Sequence, residues 1–428
     1  MIARLLEQVR PRVRSADAAF TTDETISAMV GPGSAEVSRS DTVGCHLRLQ
    51  YGGRIGMAGC TDLAVEPLIA AALTSVALGE PGTIILPAPS PLPQVITAAP
   101  AARSLSPGDC VGLARRLLER LEREDREVTA WAERSAGRVD VGNTRGVLAG
   151  YDVSLAGIGA RIRVRSAPGT LQLRLHHAST DVPSSADMER LVGEADRRLT
   201  PPSLDQPTLT PVARVGFAAR AVIALLAPLR QMLLGPALFE GRAPLAGRLG
   251  ERAFSPMLSL LDDPLAQGRP GSRPIDDEGV VCRRLKLIEQ GMVRGWLADL
   301  ATGLRLGVPP TGHGVRTPGA PPRTGWSNFV VEPGEADAGD LAALVGDGLV
   351  VLDLPLPSGN LVDGRVALTT PWAYQVEQGE IVGRVERLTI RGNLTELLNR
   401  IIAVGRVVEW VGAAAAPAMV IEGVETGQ

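Results

Sequence analysis

TVGCHLRLQYGGRIGMAGC, residues 42–60, holds two apolar alternations back to back. Val43, Cys45, Leu47 and Leu49 recur at every second position, Gly52-Gly53 interrupts, and Ile55 and Met57 resume the period. Residues two apart share one face of a strand, and a Gly-Gly pair supplies the positive φ angles of a tight two-residue turn. The stretch predicts a β-hairpin with one apolar face. A helix is predicted to follow, with Pro67 in its first turn, PLIAAALTSVAL as its body and Gly79 at its end.

Beyond it, residues 80–108 are rich in Pro, Gly and Ser and read as a surface excursion. Asp109 reads as the cap of an amphipathic helix with Val111, Leu113, Leu117, Leu118 and Leu121 on one face. From 127 to 177 the period is two again: EVTAWAE, GRVDVGN, GVLAGYDVSLAGI, ARIRVR and TLQLRLHH predict an antiparallel meander of short strands. An amphipathic helix near 184–199 closes this half, and TPPSLDQPTLTP (200–211) reads as a linker.

The second half predicts a helix over about 215–234, then strands. KLIEQGMVRGWL and YQVEQGEIVGRVERL each place Gln-Gly between alternating runs and predict hairpins, and LVVLDLPL predicts a buried strand. GNLTELLNRIIAVG predicts a helix capped by Asn393, with Glu396 completing a capping box and Gly405 as its stop. The fold class expected is α+β in two domains: 1–205 with helices on an antiparallel sheet, and 206–428 with a strand-rich antiparallel or barrel-like sheet.

Composition narrows function by exclusion. Net charge is −3, and aromatic residues make up 3% of the 428, so neither a basic nucleic-acid surface nor a base-stacking platform is expected. Lys286 is the only lysine and follows Leu285, which removes the phosphate-binding P-loop. Cys45, Cys60, Cys110 and Cys282 show no CxxC spacing and read as free thiols, although Cys45 and Cys60 could meet across the hairpin. The first residues carry charges throughout, unlike a signal peptide, and AVIALLAPL (221–229) is too short to span a bilayer. A soluble cytoplasmic chain is expected, with no nucleic-acid and no membrane partner.

Candidate chemistry is sparse. No HExxH, GxSxG or complete dinucleotide fingerprint occurs; GIGARI (157–162) lacks the third glycine. His176 and His177 are neighbours on a predicted strand and point to opposite faces, and His46 reads as a surface residue opposite the apolar face. His313, between two glycines in TGHGVR, is placed to reach a ligand or to pack structurally. The carboxylates of SRPIDDEGV (272–280), Asp276, Asp277 and Glu278, read as a hard-cation site or as a turn with Gly279 at positive φ. Asp262 and Asp263 lie nearby in LLDDP.

FSPMLSLLDDP (254–264), SRPIDDEGVVCRRLKLIEQGMVRGWLADLATGLRLG (272–307), TGHGVR (311–316), WSNFVVEPG (326–334) and TIRGNLTELLNRIIAVG (389–405) occur in the order and spacing of the TldD/PmbA family, which the chain resembles. The segment VGCHLRLQYGGRIGMAG (43–59) resembles that family's other recognisable stretch. The resemblance implies zinc metallopeptidase subunits of TldD type, with a helix-borne HExxxH and a later cysteine, and TldE (PmbA) members that lack that site and pair with TldD. The corresponding helix, VGFAARAVIALLAPLRQMLLG (215–235), has neither His nor Glu, and 407–428 has no Cys. The chain therefore resembles the TldE side: no catalytic residue and no metal of its own, zinc in a TldD-like HExxxH partner, and a heterodimer acting on unfolded peptides or small amide or aminoacyl metabolites. Asp276, Asp277, Glu278, Gly279, His313, Arg316 and Asn328 are its candidates for lining a peptide cleft. Two alternatives stand beside this reading: a homodimeric PmbA-like peptide- or protein-binding regulator, and a metal-free amide hydrolase using His313.

Overall fold

The computed structural model describes residues 1–428 apart from 62–63, 167–168, 201–211, 240–242, 318–319, 338–339, 358–362 and 428. The chain divides into two compact units. One gathers Met1–Ala195, Pro264–Arg283 and Ala298–Ser327; the other gathers Asp196–Asp263, Arg284–Leu297 and Asn328–Gln428. SRPIDDEGV and TGHGVR thus fold with the N-terminal residues, while Asn328 belongs to the second unit. The boundary expected at 205, and nearly all of the linker expected at 200–211, lie outside the described residues.

The first unit is built on a six-stranded antiparallel sheet of β1 (Ser15–Gly31), β2 (Ser34–Tyr51), β3 (Arg54–Cys60), β4 (Arg126–Asn143), β5 (Leu148–Ser166) and β6 (Gly169–Ser179), in the spatial order β3-β2-β1-β4-β5-β6. The hairpin of β2 and β3 turns at Gly52-Gly53, both at positive φ. Its apolar face packs on the helices Ile2–Val9 and Val65–Ser75, through Leu5, Val9, Ala18, Leu47, Leu49, Leu68 and Ile69. The helix Pro107–Leu121 buries Leu113, Leu117 and Leu121 against the same sheet. Its cap is Ser106 rather than Asp109: the Ser106 hydroxyl accepts from Asp109 N, and the Asp109 carboxylate accepts from Ser106 N at 2.8 Å.

Two differences from the sequence reading concern this sheet. The five short runs expected over 127–177 are three long strands, because the glycines read as turns lie mid-strand. A Cβ on Gly137 would stand 1.9 Å from Thr22 O of β1, so this glycine serves close strand approach instead of chain reversal. The second difference concerns the other face of the sheet, which is covered too. Ile275 and Tyr151 pack there with Ala19, Val141 and Val147, so residues 45–50 of β2 are buried without interruption. His46, expected at the surface, is 8% exposed.

The second unit carries a ten-stranded sheet. Within it β7 (Val212–Phe217), Gly348–Val351, Arg365–Glu377, Glu380–Asn393 and Ala414–Gly427 pair in turn, and the last pairs back with β7 to close a barrel. The α+β class and the barrel-like second half are as expected. Both Gln-Gly hairpins form, with Gln290, Gly291, Gln378 and Gly379 all at positive φ. The helix expected over 215–234 is instead the end of β7 and the short helices Ala219–Leu225 and Ala227–Met232, the second with Pro228 in its first turn. The helix expected over 393–405 is one turn, Leu394–Leu397; Asn393 caps it, and Ile401–Val411 runs on as a strand.

The two Gln-Gly turns predict unequal tolerance. In Gly379→Ala the new Cβ meets Ala343, nearest at its Cα at 3.3 Å, so the cost is mainly the left-handed backbone, about 1–2 kcal/mol. In Gly291→Ala it would stand 2.1 Å from Phe254 O, adding roughly 1–3 kcal/mol of overpacking. Denaturant midpoints of the two variants measure the gap, and equal losses would mean that turn conformation alone sets the cost.

Candidate functional site

The carboxylate loop is a turn clamped by its own amides. Asp276 N donates to Val280 O at 2.9 Å and Gly279 N to Asp276 O at 3.1 Å, with Gly279 at φ +84°. The Asp276 carboxylate accepts from Glu278 N (3.0 Å), Val280 N (2.8 Å) and Gly314 N (2.7 Å). Asp277 points elsewhere and accepts from Arg316 N at 2.9 Å. Arg316 Nε returns a bond to Asp277 O at 2.8 Å. TGHGVR is therefore stitched along SRPIDDEGV, and a Cβ on Gly314 would collide with Glu278 Cγ at 2.6 Å.

The loop is anchored on the sheet by buried charges. Asp17 of β1 and Arg48 of β2 sit directly opposite each other, and Arg48 donates to both Asp17 oxygens, from Nε at 3.2 Å and from Nη2. Arg316 Nη2 reaches Asp17 Oδ1 at 2.6 Å, and Arg48 Nη1 lies 2.8 Å from Glu278 Oε1. Glu278 Oε2 accepts from Leu300 N at 2.8 Å. Asp17, Asp276 and Glu278 are each at most 2% exposed, so these groups are unreachable by substrate.

Burial acts on both acids and is answered differently. For Asp17 it pushes the carboxyl up, but Arg316 and Arg48 together hold it below the usual range. For Glu278 burial wins over Arg48, and the carboxyl is pushed up to about 7. Asp276 is likewise raised, chiefly by burial.

The structure brings together six of the seven residues picked from the sequence: Asp276, Asp277, Glu278, Gly279, His313 and Arg316. His313 is fully buried, with Nδ1 2.8 Å from Thr311 Oγ1. A cavity beside Arg316, about 40 Å³ between His46, Leu47, Met57, Ala58, Arg316 and Ala320, has room for little more than water. Asn328, in the second unit, donates from Nδ2 to Asp263 O at 2.8 Å, and Asp263 binds Arg284.

The second unit holds a groove of about 450 Å³ that the sequence reading missed. Pro256, Met257 and Ser259 line it from one quoted segment, Pro333 and Gly334 from another, and Ile402, Ala403 and Val404 from a third, with Gln290 and Glu335 as polar members. The available signal was the segments themselves, which hold the groove's apolar residues without any catalytic side chain.

Metal fit can be judged from the donors present. The second unit contains no histidine and no cysteine in its whole length. The helix Ala219–Leu225 buries Ala219, Ala221, Val222, Ile223, Ala224 and Leu225, which have no side-chain donor. Among the described residues, no group of three His, Cys, Asp or Glu side chains is placed to hold a metal ion. Zinc does not fit here.

Residues 210–428 match the PmbA/TldA metallopeptidase C-terminal domain, which is half of the chain. The chain belongs to the TldD/PmbA family. It is 31% identical to a metalloprotease TldD homolog of Haemophilus influenzae, over 36% of this chain and 32% of that one. The chain thus spans about a third of that relative's length. To metalloprotease PmbA of Escherichia coli O157:H7 it is 24% identical, over 95% of this chain and 94% of that one. The crystal structure of TldE from Thermococcus kodakarensis superposes with a TM-score of 0.89 at 23% identity, covering 100% of this chain and 99% of that one. That likeness shows the family fold. Among the described residues, no helix is long and apolar enough to cross a membrane.

Glu278 predicts a pH signature. Its proton is held more tightly in the folded chain (about 7) than unfolded (ordinarily about 4.5), so the folded state binds the extra proton between those values. Stability conferred through Glu278 is therefore full below pH 4.5 and declines as pH rises to 7. Asp17 runs the other way, its contribution present above its ordinary value and lost in acid. Denaturation midpoints of wild type and Glu278→Gln across pH 5–8 test this: the variant's profile flattens, and an unchanged slope would remove Glu278 as its source.

Proposed function

We propose that this chain is the TldE/PmbA-like, non-catalytic subunit of a heterodimeric zinc peptidase of the TldD/TldE type. The observation that carries the reading is the donor inventory of the second unit, which holds most of the residues matching the metallopeptidase domain: it has no histidine and no cysteine, and the two such residues within 210–428, Cys282 and His313, fold buried in the first unit. Oxygen donors alone do not make the nitrogen- and sulfur-rich site that zinc selects. The metal and the bond-breaking step then belong to a TldD-like partner carrying HExxxH.

What this chain contributes is a binding surface. The groove beside Met257, Ile402 and Val404 offers apolar walls with Gln290 and Glu335 at hand. Such a surface suits a short extended stretch of peptide or an amide-containing metabolite, and it rejects a folded domain by size. The carboxylates of SRPIDDEGV serve as scaffold, because their oxygens are engaged by main-chain amides and guanidinium groups.

Two measurements test the reading. Purified alone, the chain is expected to bind no stoichiometric zinc; co-expressed with an HExxxH relative, it is expected to elute as a mixed dimer with one zinc. Zinc bound by the chain alone, or a relative fully active without it, would sink the proposal. A metal-free homodimer that ignores the relative would favour a peptide-binding regulator. Ile402→Arg, which puts a charge into the groove wall, is expected to weaken fluorescent-peptide binding by the complex about tenfold, roughly 1.4 kcal/mol, with zinc content unchanged.

A further inference from the structure

The first unit holds a pair of thiols that neither its fold nor the proposed function explains. Cys45 of β2 and Cys60 of β3 are directly opposite in the hairpin register. Both are free. The two-residue turn closes on the pair Tyr51–Arg54. The next pair, Gln50–Ile55, spends its groups outward: Ile55 N donates to Glu80 O, and Gln50 O accepts from Arg14 N. Hydrogen-bonded and non-hydrogen-bonded pairs alternate along a hairpin, so Cys45–Cys60 is a hydrogen-bonded pair with its Cα atoms about 5.5 Å apart. That separation lies within the Cα range of disulfides, and closing the bond draws the two Cβ atoms about 1 Å nearer.

The two side chains also differ in access. Both lie on the helix-covered face, in contact with each other, and burial pushes the Cys45 thiol up to about 12. Cys45 is 2% exposed, whereas Cys60 ends its strand half-buried. One thiol is reachable from solvent and the other waits behind it, the arrangement of an attacking and a resolving cysteine.

We propose that Cys45 and Cys60 form a reversible oxidation site that takes a hydroperoxide and closes to a cross-strand disulfide. The Cys60 thiolate attacks the peroxide oxygen, forming S–O and breaking O–O, and the departing alkoxide or hydroxide takes a proton. The Cys45 sulfur then attacks the Cys60 sulfur. S–S forms, S–O breaks, and the leaving hydroxide takes the Cys45 proton to become water. Two thiols are oxidised and one peroxide is reduced. The product would staple β3 to β2 at the end of the hairpin remote from its turn, where the chain leaves for the helix Val65–Ser75.

Hydrogen peroxide added to the purified full chain tests this by intact mass and by peptide mapping without reduction. The expected product has lost two hydrogens, links the peptides of Cys45 and Cys60, and reverts with dithiothreitol. Cys45→Ser should stop at Cys60 sulfenic acid, trapped by dimedone, and Cys60→Ser should lose the fast reaction. A Cys110→Ser/Cys282→Ser variant, which leaves the pair intact, should behave as wild type, and it keeps the test open if the hairpin variants fail to fold. A link to Cys110 or Cys282, over-oxidation of Cys60 without a link, or no reaction would overturn the proposal.

Discussion

Arg48 is a cation sealed between two layers, and much of the first unit is arranged around that fact. A guanidinium cannot give up its charge, so its burial is tolerable only where anions come with it. One is Asp17, opposite on β1. The other is Glu278, which arrives from a segment more than two hundred residues later in the chain. Arg316 closes the set on Asp17. Two acids and two arginines balance, and the polar face of β2 becomes an interior.

The difference between the two acids follows from how each is held. Both oxygens of Asp17 accept guanidinium hydrogen bonds, so its charged form is favoured against burial. Glu278 Oε1 stands 2.8 Å from Arg48 Nη1, one guanidinium where Asp17 has two, and burial outweighs that attraction. The Leu300 N–H bond to Glu278 Oε2 persists whichever way the carboxyl is charged. Protonating Glu278 therefore alters the electrostatics of the anchor while leaving this main-chain tie in place.

That arrangement explains what could be read from the sequence. The period of β2 and β3 was legible because Leu47 and Leu49 face a conventional apolar layer. The intervening His46, Arg48 and Gln50 imitate a solvated face, and nothing local announces that a distant loop covers them. β1 went unread because four alanines and one acid, Asp17, carry most of its buried positions. In the second unit the Gln-Gly turns were legible because their chemistry is local. The 393–405 helix was not: Asn393 does cap one turn, but the β-branched run that follows pairs with Ala414–Gly427 as a strand. The groove escaped notice because its walls come from four separate stretches of chain that only tertiary folding brings together.

The site residues teach the converse lesson. Six of seven candidates do gather, yet gathering is not availability. Asp276 has three amides on its oxygens, Asp277 binds Arg316, and His313 is sealed beside Thr311. A general acid or base must be able to exchange its proton with substrate, and a group that holds two chain segments together can do so only by releasing them. The helix that would bear metal ligands is equally committed, to apolar packing in the second unit. On the proposed reading, the fold is kept whole while the chemistry lies in another subunit. The groove beside Met257 and Ile402 is open to a ligand, and on the proposed reading its task is to hold a chain that another subunit cuts.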